Sequence, residues 1–258
     1  MQMYRRLRNV LRNKLQRTFI GEAWINLTSK PQSSICFVSA TRLSEKDFWR
    51  RSLLGRSLGP RLNQTTIKAR IAYENTQGLP TIYNKAIREE DAEILVFLHD
   101  DLWLEDPKVM QKIRAALKIN DILGIAGNIR RVKGQPAWLF LRGTSGKLEL
   151  DRPNLSGAIK HGNPGQSEKS VYGHAPAACE LMDGVFLAAK RQTLIKSRTY
   201  FDEQFKFDFY DMDFCRTAKQ NGLSLTTWPI DLIHQSSGLF GGPSWMEMEA
   251  TYQAKWKN

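Results

Sequence analysis

Cysteine is scarce, and the three present, Cys36, Cys179 and Cys215, lie far apart in the chain. That spacing offers neither a disulfide framework nor a zinc site, and it fits a reducing compartment. No run of about twenty apolar residues exists to cross a bilayer as a helix, so an integral membrane protein is not expected. Residues 1–14 are basic but lack the apolar core and small-residue cleavage site of a secretory signal. The expected location is the cytoplasm. A Gly-rich phosphate loop of the Walker type is also missing, which argues against that route to nucleotide binding.

The composition that remains is ordinary for a globular chain, with 41% hydrophobic and 25% charged residues. At 258 residues it can bury a substantial core as one large α/β domain or two small ones. The net charge of +12 is uneven: Arg5, Arg6, Arg8, Arg12, Lys14 and Arg17 supply six positive charges before the first acid, Glu22. The positive charge therefore belongs chiefly to an N-terminal arm, and a nucleic-acid partner is not expected. Within the arm Met3, Leu7, Val10, Leu11, Leu15 and Phe19 recur at spacings of three and four, the stripe of a basic amphipathic helix. Two partners suit such a helix. One is an anionic membrane surface bound through residues 1–20, on the inner face of the plasma membrane; the other is the chain's own domain or a partner subunit. The expected organisation is an arm over 1–30, a catalytic-size domain over 31–240 and a tail over 241–258.

Residues 94–98, Ile-Leu-Val-Phe-Leu, read as a strand buried on both faces, and the run stops abruptly at His99, Asp100 and Asp101. In open α/β sheets ligands bind beyond the carboxyl ends of the strands. Adjacent carboxylates there either open a surface turn or hold a hard divalent cation against phosphate oxygens. Upstream, residues 35–40 predict a first buried strand, Ser44 a helix cap with Asp47 at the third helical position, residues 66–73 a second strand, and residues after Pro80 a helix. Asp106 and Pro107 predict the cap and first position of another helix, followed by a short strand over 122–126. Residues 127–179 lose the pattern, with Gly, Pro, Asn and Ser gathering between 142 and 176, which predicts a mobile or substrate-shaped insertion. Residues 180–190 predict one strand interrupted by Gly184, marking either a β-bulge or the close approach of a ligand. Asp211 falls at a helix start, where a carboxylate is favoured. His234 ends the last apolar stretch, as a structural histidine or a metal ligand.

In this order the signals resemble a family-2-like glycosyltransferase of the GT-A fold, over roughly residues 34–238. The motifs that carry the resemblance are His99-Asp100-Asp101 at the strand end, Met182-Asp183-Gly184, Phe201-Asp202-Glu203, and Tyr210-Asp211-Met212-Asp213. Two positions depart from the family pattern: His99 stands where the first Asp is expected, and Tyr210 where a Glu is usual. The resemblance implies a mixed, mostly parallel, Rossmann-like sheet flanked by helices. It implies Mn²⁺ or Mg²⁺ held by Asp101, with His234 and His99 as further candidates. It places Ser39, Thr41, Arg42, Glu74, Asn75, Asn84 and Asp100 around the nucleotide, and Asp183 and Gly184 beside the sugar. It also makes Asp211 the catalytic base of an inverting transfer, with Asp213 orienting the helix start or the acceptor.

The chemistry asks for these groups. A bound metal stabilises the charge that builds on a departing diphosphate, and the acceptor hydroxyl must lose its proton to a positioned base as it attacks. The implied partners are a nucleoside-diphosphate sugar, a UDP-sugar foremost, and a glycan or lipid-linked acceptor, as in bacterial surface polysaccharide or lipopolysaccharide assembly. Two other readings stay open at this stage: nucleotidyl transfer onto a sugar phosphate, and a basic membrane- or nucleic-acid-binding module without turnover.

Overall fold

The computed structural model describes residues 32–236 and 240–257, so the expected amphipathic helix of the arm lies outside the described residues. Within the unit Ser33–Asn258, the apolar runs form the strands expected of them. Strands β1 (Ile35–Ala40), β2 (Ile67–Ala72) and β3 (Ile94–Leu98) pair in parallel around β1. Every residue of β1 and β3 is buried, as expected of strands with a neighbour on each side in the sheet order. Each large apolar side chain enclosed in this way contributes roughly 1.5–3 kcal/mol. Helices α1 (Glu45–Arg51) and α2 (Leu53–Leu58) follow β1. Ser44 caps α1 as predicted, its Oγ accepting from the Asp47 amide at 3.3 Å. Helix α3 (Leu79–Glu89) buries Ile82, Tyr83, Ala86 and Ile87 along one side.

After β3 the chain crosses into the second sheet as β4 (Leu102–Leu104), then runs through α4 (Val109–Ala116), β5 (Ile122–Gly124) and β6 (Ala126–Asn128). The predicted strand over 122–126 is thus two strands in different sheets, with Ile125 at the crossing. Asp106 does not cap α4. Its carboxylate accepts from the Lys108 amide at 2.8 Å and pairs with Lys112 at 2.5 Å, forming a turn ahead of a helix that begins at Val109.

Residues 127–179 are far more ordered than the expected loose insertion. They carry β7 (Phe140–Arg142) and β8 (Leu148–Leu150), the long hairpin β9 (Leu155–Asn163) and β10 (Gln166–Gly173), and β11 (Ala177–Ala178). The many glycines and polar residues that weaken the hydrophobic pattern here serve the turns and the exposed strand β10. Then come β12 (Leu181–Met182), β13 (Phe186–Lys190), α5 (Arg191–Ser197), α6 (Tyr210–Gln220), β14 (Leu225–Thr227), β15 (Leu232–His234) and α7 (Pro243–Lys255). The single strand expected over 180–190 is also two, and residues 183–185 form the passage between sheets.

The larger sheet has the order β11-β14-β5-β13-β3-β1-β2 and the smaller β12-β6-β9-β15-β4 with β10 on β9. In the larger sheet β13 and β11 run against the remaining strands. This is the mixed α/β architecture, sheet flanked by helices, that the resemblance implied.

Candidate active site

Strand register alone brings the candidate residues together. Because β13 is antiparallel to β3, its first residue Phe186 pairs with the last of β3, Leu98, and the His99 amide bonds the Val185 carbonyl at 3.3 Å. The residues just before β13, Asp183 and Gly184, are thereby carried to the His99–Asp101 turn. Strand β15 is antiparallel to β4, so His234 pairs with Leu102, and the Gln235 amide bonds the Asp101 carbonyl at 3.0 Å. Strand β9 runs parallel to β15 and sets His161 opposite His234.

The outcome is a cluster of His99, Asp101 and His234 whose ligand atoms all lie within 4.8 Å of one another. His234 Nε2 sits 3.3 Å from Asp101 Oδ1, and Ser236 Oγ lies 3.0 Å from the same nitrogen. Burial alone would raise the Asp101 carboxyl, but the hydrogen bond and charge of His234 hold it well below the usual carboxylate range. Burial alone would lower His234, yet the Asp101 contact lifts it above the ordinary imidazole value. Burial keeps His99 below that value despite Asp101. Two imidazoles and one carboxylate form a mixed nitrogen and oxygen donor set, which suits a first-row transition ion such as Mn²⁺ better than the all-oxygen shell Mg²⁺ prefers.

The second half of the site is the start of α6. Phe209 takes the left-handed conformation, φ 65°, which costs a bulky residue on the order of 1–3 kcal/mol. Its ring is held between Trp245 and Tyr252 of α7, at centroid distances of 5.1 and 5.3 Å. Asp213 is fully buried and ties α6 to the same region, bonding Lys255 and Trp256 Nε1, each at 2.7 Å. It therefore supports the helix from behind rather than meeting an acceptor.

With α6 so anchored, Tyr210 and Asp211 meet Gly184. The Gly184 amide donates to Asp211 Oδ2 at 2.9 Å, and Tyr210 Oη donates to the Gly184 carbonyl at 2.8 Å. A Cβ on Gly184 would stand 2.4 Å from Tyr210 Oη and 2.8 Å from Asp211 Cβ, so the glycine is demanded by these two side chains. Burial, reinforced by the charge of Asp183, pushes the Asp211 carboxyl up to about 7. His99 Nε2 lies 2.9 Å from Tyr210 Oη, so Tyr210 links the metal-type cluster to the perturbed carboxyl.

The nucleotide-side candidates divide. Thr41 is buried, receives the Asn75 amide on its carbonyl at 2.8 Å, and hydrogen-bonds the Asp100 side chain, so these three form one rim. Arg42 and Glu74 flank it in the chain, Arg42 exposed and Glu74 in the left-handed conformation at φ 47°. Ser39 is wholly enclosed in β1 with its hydroxyl unbonded among the described residues, which removes it from direct ligand contact. Asn84 serves the fold instead. Its side chain bonds both the carbonyl and the amide of Phe201, at 2.8 and 2.9 Å, and Glu203 at 3.0 Å. These bonds lock α3 to the segment leading into α6.

Sequence reasoning passed over two neighbours. His161 lies 3.3 Å from Tyr172 Oη through Nε2, and its ring centroid is 6.1 Å from that of His234. Its two-residue spacing from the buried Ile159 was the available signal. Phe207, 60% exposed, stacks on His99 with centroids 5.6 Å apart, and nothing in the local pattern marks it.

Residues 66–235, more than half of the chain, match the family model described as "Glycosyltransferase like family". No curated protein sequence matches the chain. Among solved structures, TarS residues 1–349 from S. aureus are similar at 12% identity and TM-score 0.48, covering 86% of this chain and 64% of that one. The catalytic domain of Drosophila β1,4-galactosyltransferase 7, solved with xylobiose, is similar at 11% identity and TM-score 0.47, covering 84% and 79%. A mannosyltransferase from Pyrobaculum calidifontis, solved with GDP-Man and Mn²⁺, is similar at 11% identity and TM-score 0.42, covering 91% and 66%. The chain thus spans less than two thirds of the TarS fragment.

Proposed function

Because this chain belongs to the glycosyltransferase-like family, we propose that it moves a sugar from a nucleoside diphosphate to a hydroxyl of a glycan or lipid-linked acceptor, with inversion at the anomeric carbon. The observation that supports this reading most is that the His99, Asp101 and His234 donor cluster meets, through Tyr210 and Gly184, a carboxyl whose affinity for protons is raised to about 7. Asp101, His234 and His99 would hold a divalent ion, Mn²⁺ by the nature of the donors. When bound, the ion supplies positive charge against the departing diphosphate.

The chain's own residues do the rest. Thr41, Asn75 and Asp100 border the nucleoside side, just beyond the carboxyl ends of β1, β2 and β3. Asp211 takes the proton of the acceptor hydroxyl as it attacks. At about 7 its affinity for protons is high enough to draw that proton, yet the ionised form is plentiful at neutral pH. The Gly184 amide holds the Asp211 carboxylate in place, and direct attack needs no covalent intermediate. The basic arm supports an acceptor presented at the inner face of a membrane, as in surface polysaccharide or lipopolysaccharide assembly.

The test is a screen of UDP-, GDP- and dTDP-sugars for stabilisation that depends on Mn²⁺. A ligand at about 100 times its Kd adds about 2.7 kcal/mol, or roughly 5–10 °C for a domain of this size. Asp101→Ala should remove the Mn²⁺-dependent part of that shift. An equal shift in the variant, or none in the parent with any donor, rejects the reading.

A further inference from the structure

Tyr210 occupies the junction between the two halves of the site, and bond accounting fixes what its hydroxyl does. The Gly184 carbonyl can only accept, so at 2.8 Å it takes the single hydroxyl proton of Tyr210. The Tyr210 oxygen then has only lone pairs to offer His99, and the 2.9 Å contact must be a bond donated by His99 Nε2–H. A neutral imidazole with its proton on Nε2 keeps its available lone pair on Nδ1. The ring has little freedom to turn, since Phe207 stacks on it and the edge of His234 packs against it at 5.8 Å.

We propose that Tyr210 is a positioning residue which fixes His99 as the Nε2–H tautomer, so that a divalent ion engages His99 through Nδ1. The metal half of this statement rests on the function proposed above; the tautomer half does not. The residue does for His99 what a carbonyl or carboxylate partner does for other metal-binding histidines, orienting the ring and raising its basicity. Tyr210 uses its oxygen for this while its proton holds Gly184, whose amide in turn holds Asp211. The same hydroxyl therefore sets the ligand side and the base side of the site relative to each other.

The first test needs neither metal nor variant of Tyr210. Long-range ¹⁵N–¹H spectra of the metal-free, full-length protein, with histidine rings labelled and the His99 signals assigned by their loss in His99→Gln, should show a proton on Nε2. A proton on Nδ1 overturns the proposal, and this spectrum decides even if Tyr210→Phe does not fold. In a folded Tyr210→Phe, which keeps the ring, the His99 tautomers should become mixed. Mn²⁺ affinity, read by electron paramagnetic resonance, should fall by about tenfold or more. Unchanged or tighter Mn²⁺ binding in that variant overturns the proposal. If the parent takes up no Mn²⁺ while His99 carries its proton on Nε2, the metal reading fails and the tautomer assignment to Tyr210 survives.

Discussion

Replacing Asp211 by Asn separates the two duties of its carboxylate. One oxygen accepts from the Gly184 amide at 2.9 Å and the other from the Met212 amide at 2.8 Å. An Asn oxygen can retain the first bond while its NH2, which cannot accept, gives up the second, so the site should largely keep its shape while the proton acceptor disappears. Loss of a positioned base costs about 10²–10⁴-fold in kcat, with donor binding nearly intact. In the parent, burial and the charge of Asp183 hold the group at about 7. Transfer should therefore rise with pH, reaching half its plateau near that value and falling about tenfold for each further unit of acidity. The variant should show no such limb.

Stability should move the other way. The Asp211 carboxyl is raised above its value in an unfolded chain, so its ionisation opposes folding. Well below about pH 4 it is protonated in both states and costs nothing. As pH climbs towards 7 only the unfolded chain releases the proton, and stability falls until both states are ionised. Allowing for partial solvent exposure, the cost at pH 8 is on the order of 2 kcal/mol, so the stability of Asp211→Asn relative to the parent should rise by about that much between pH 4 and pH 8. The assays are initial-rate transfer from about pH 5 to 9 and urea denaturation at about pH 4 and 8. Transfer by the variant at the parent rate, or a parent profile flat between about pH 5 and 8, refutes the assignment of Asp211 as base.

Three further outcomes follow from the same geometry. Gly184→Ala puts a Cβ 2.4 Å from Tyr210 Oη and should cost about 1–3 kcal/mol, with a fall in thermal midpoint; a midpoint equal to the parent's contradicts the packing described. Asn84→Ala strands the buried amide and carbonyl of Phe201 and should lose about 1–3 kcal/mol in urea denaturation, whereas loss of donor binding at unchanged stability would return Asn84 to the nucleotide site. Deleting residues 1–20 should weaken co-sedimentation with anionic vesicles while sparing turnover on a soluble acceptor, and undiminished vesicle binding dismisses the anchor.

Runs whose environment is uniform were legible in the sequence. Strands β1 and β3 are buried on both faces, so their residues are apolar almost without interruption and their ends are sharp. The strand-end acids stood out because charge follows closely on five apolar residues. What the pattern hid were places where the chain changes sheet. At Ile125 the crossing carries no polar break, because this residue is itself buried, and at residues 183–185 a single acid and a glycine are too slight a break to divide the run, so in each case two strands read as one. The hairpin β9–β10 was hidden for the opposite reason: β10 is largely exposed, and without a buried face it has no alternation to detect.

These crossings are also what makes the site. Each of His99–Asp101, residues 183–185 and His234 stands where a strand of one sheet ends or passes into the other, and register then sets them side by side. A strand end supplies backbone groups that no ladder uses and side chains that no core claims, so chemistry collects there. Local pattern can name the acids at such ends but not the partner that joins them. Tyr210 illustrates the limit. At its position the family pattern calls for a carboxylate, and by residue type a tyrosine at a helix start reads as core. Only the fold shows its oxygen between His99 and Gly184, where a phenol can accept from one and donate to the other. A carboxylate, with no proton to give at neutral pH, could meet the histidine but would be repelled by the carbonyl.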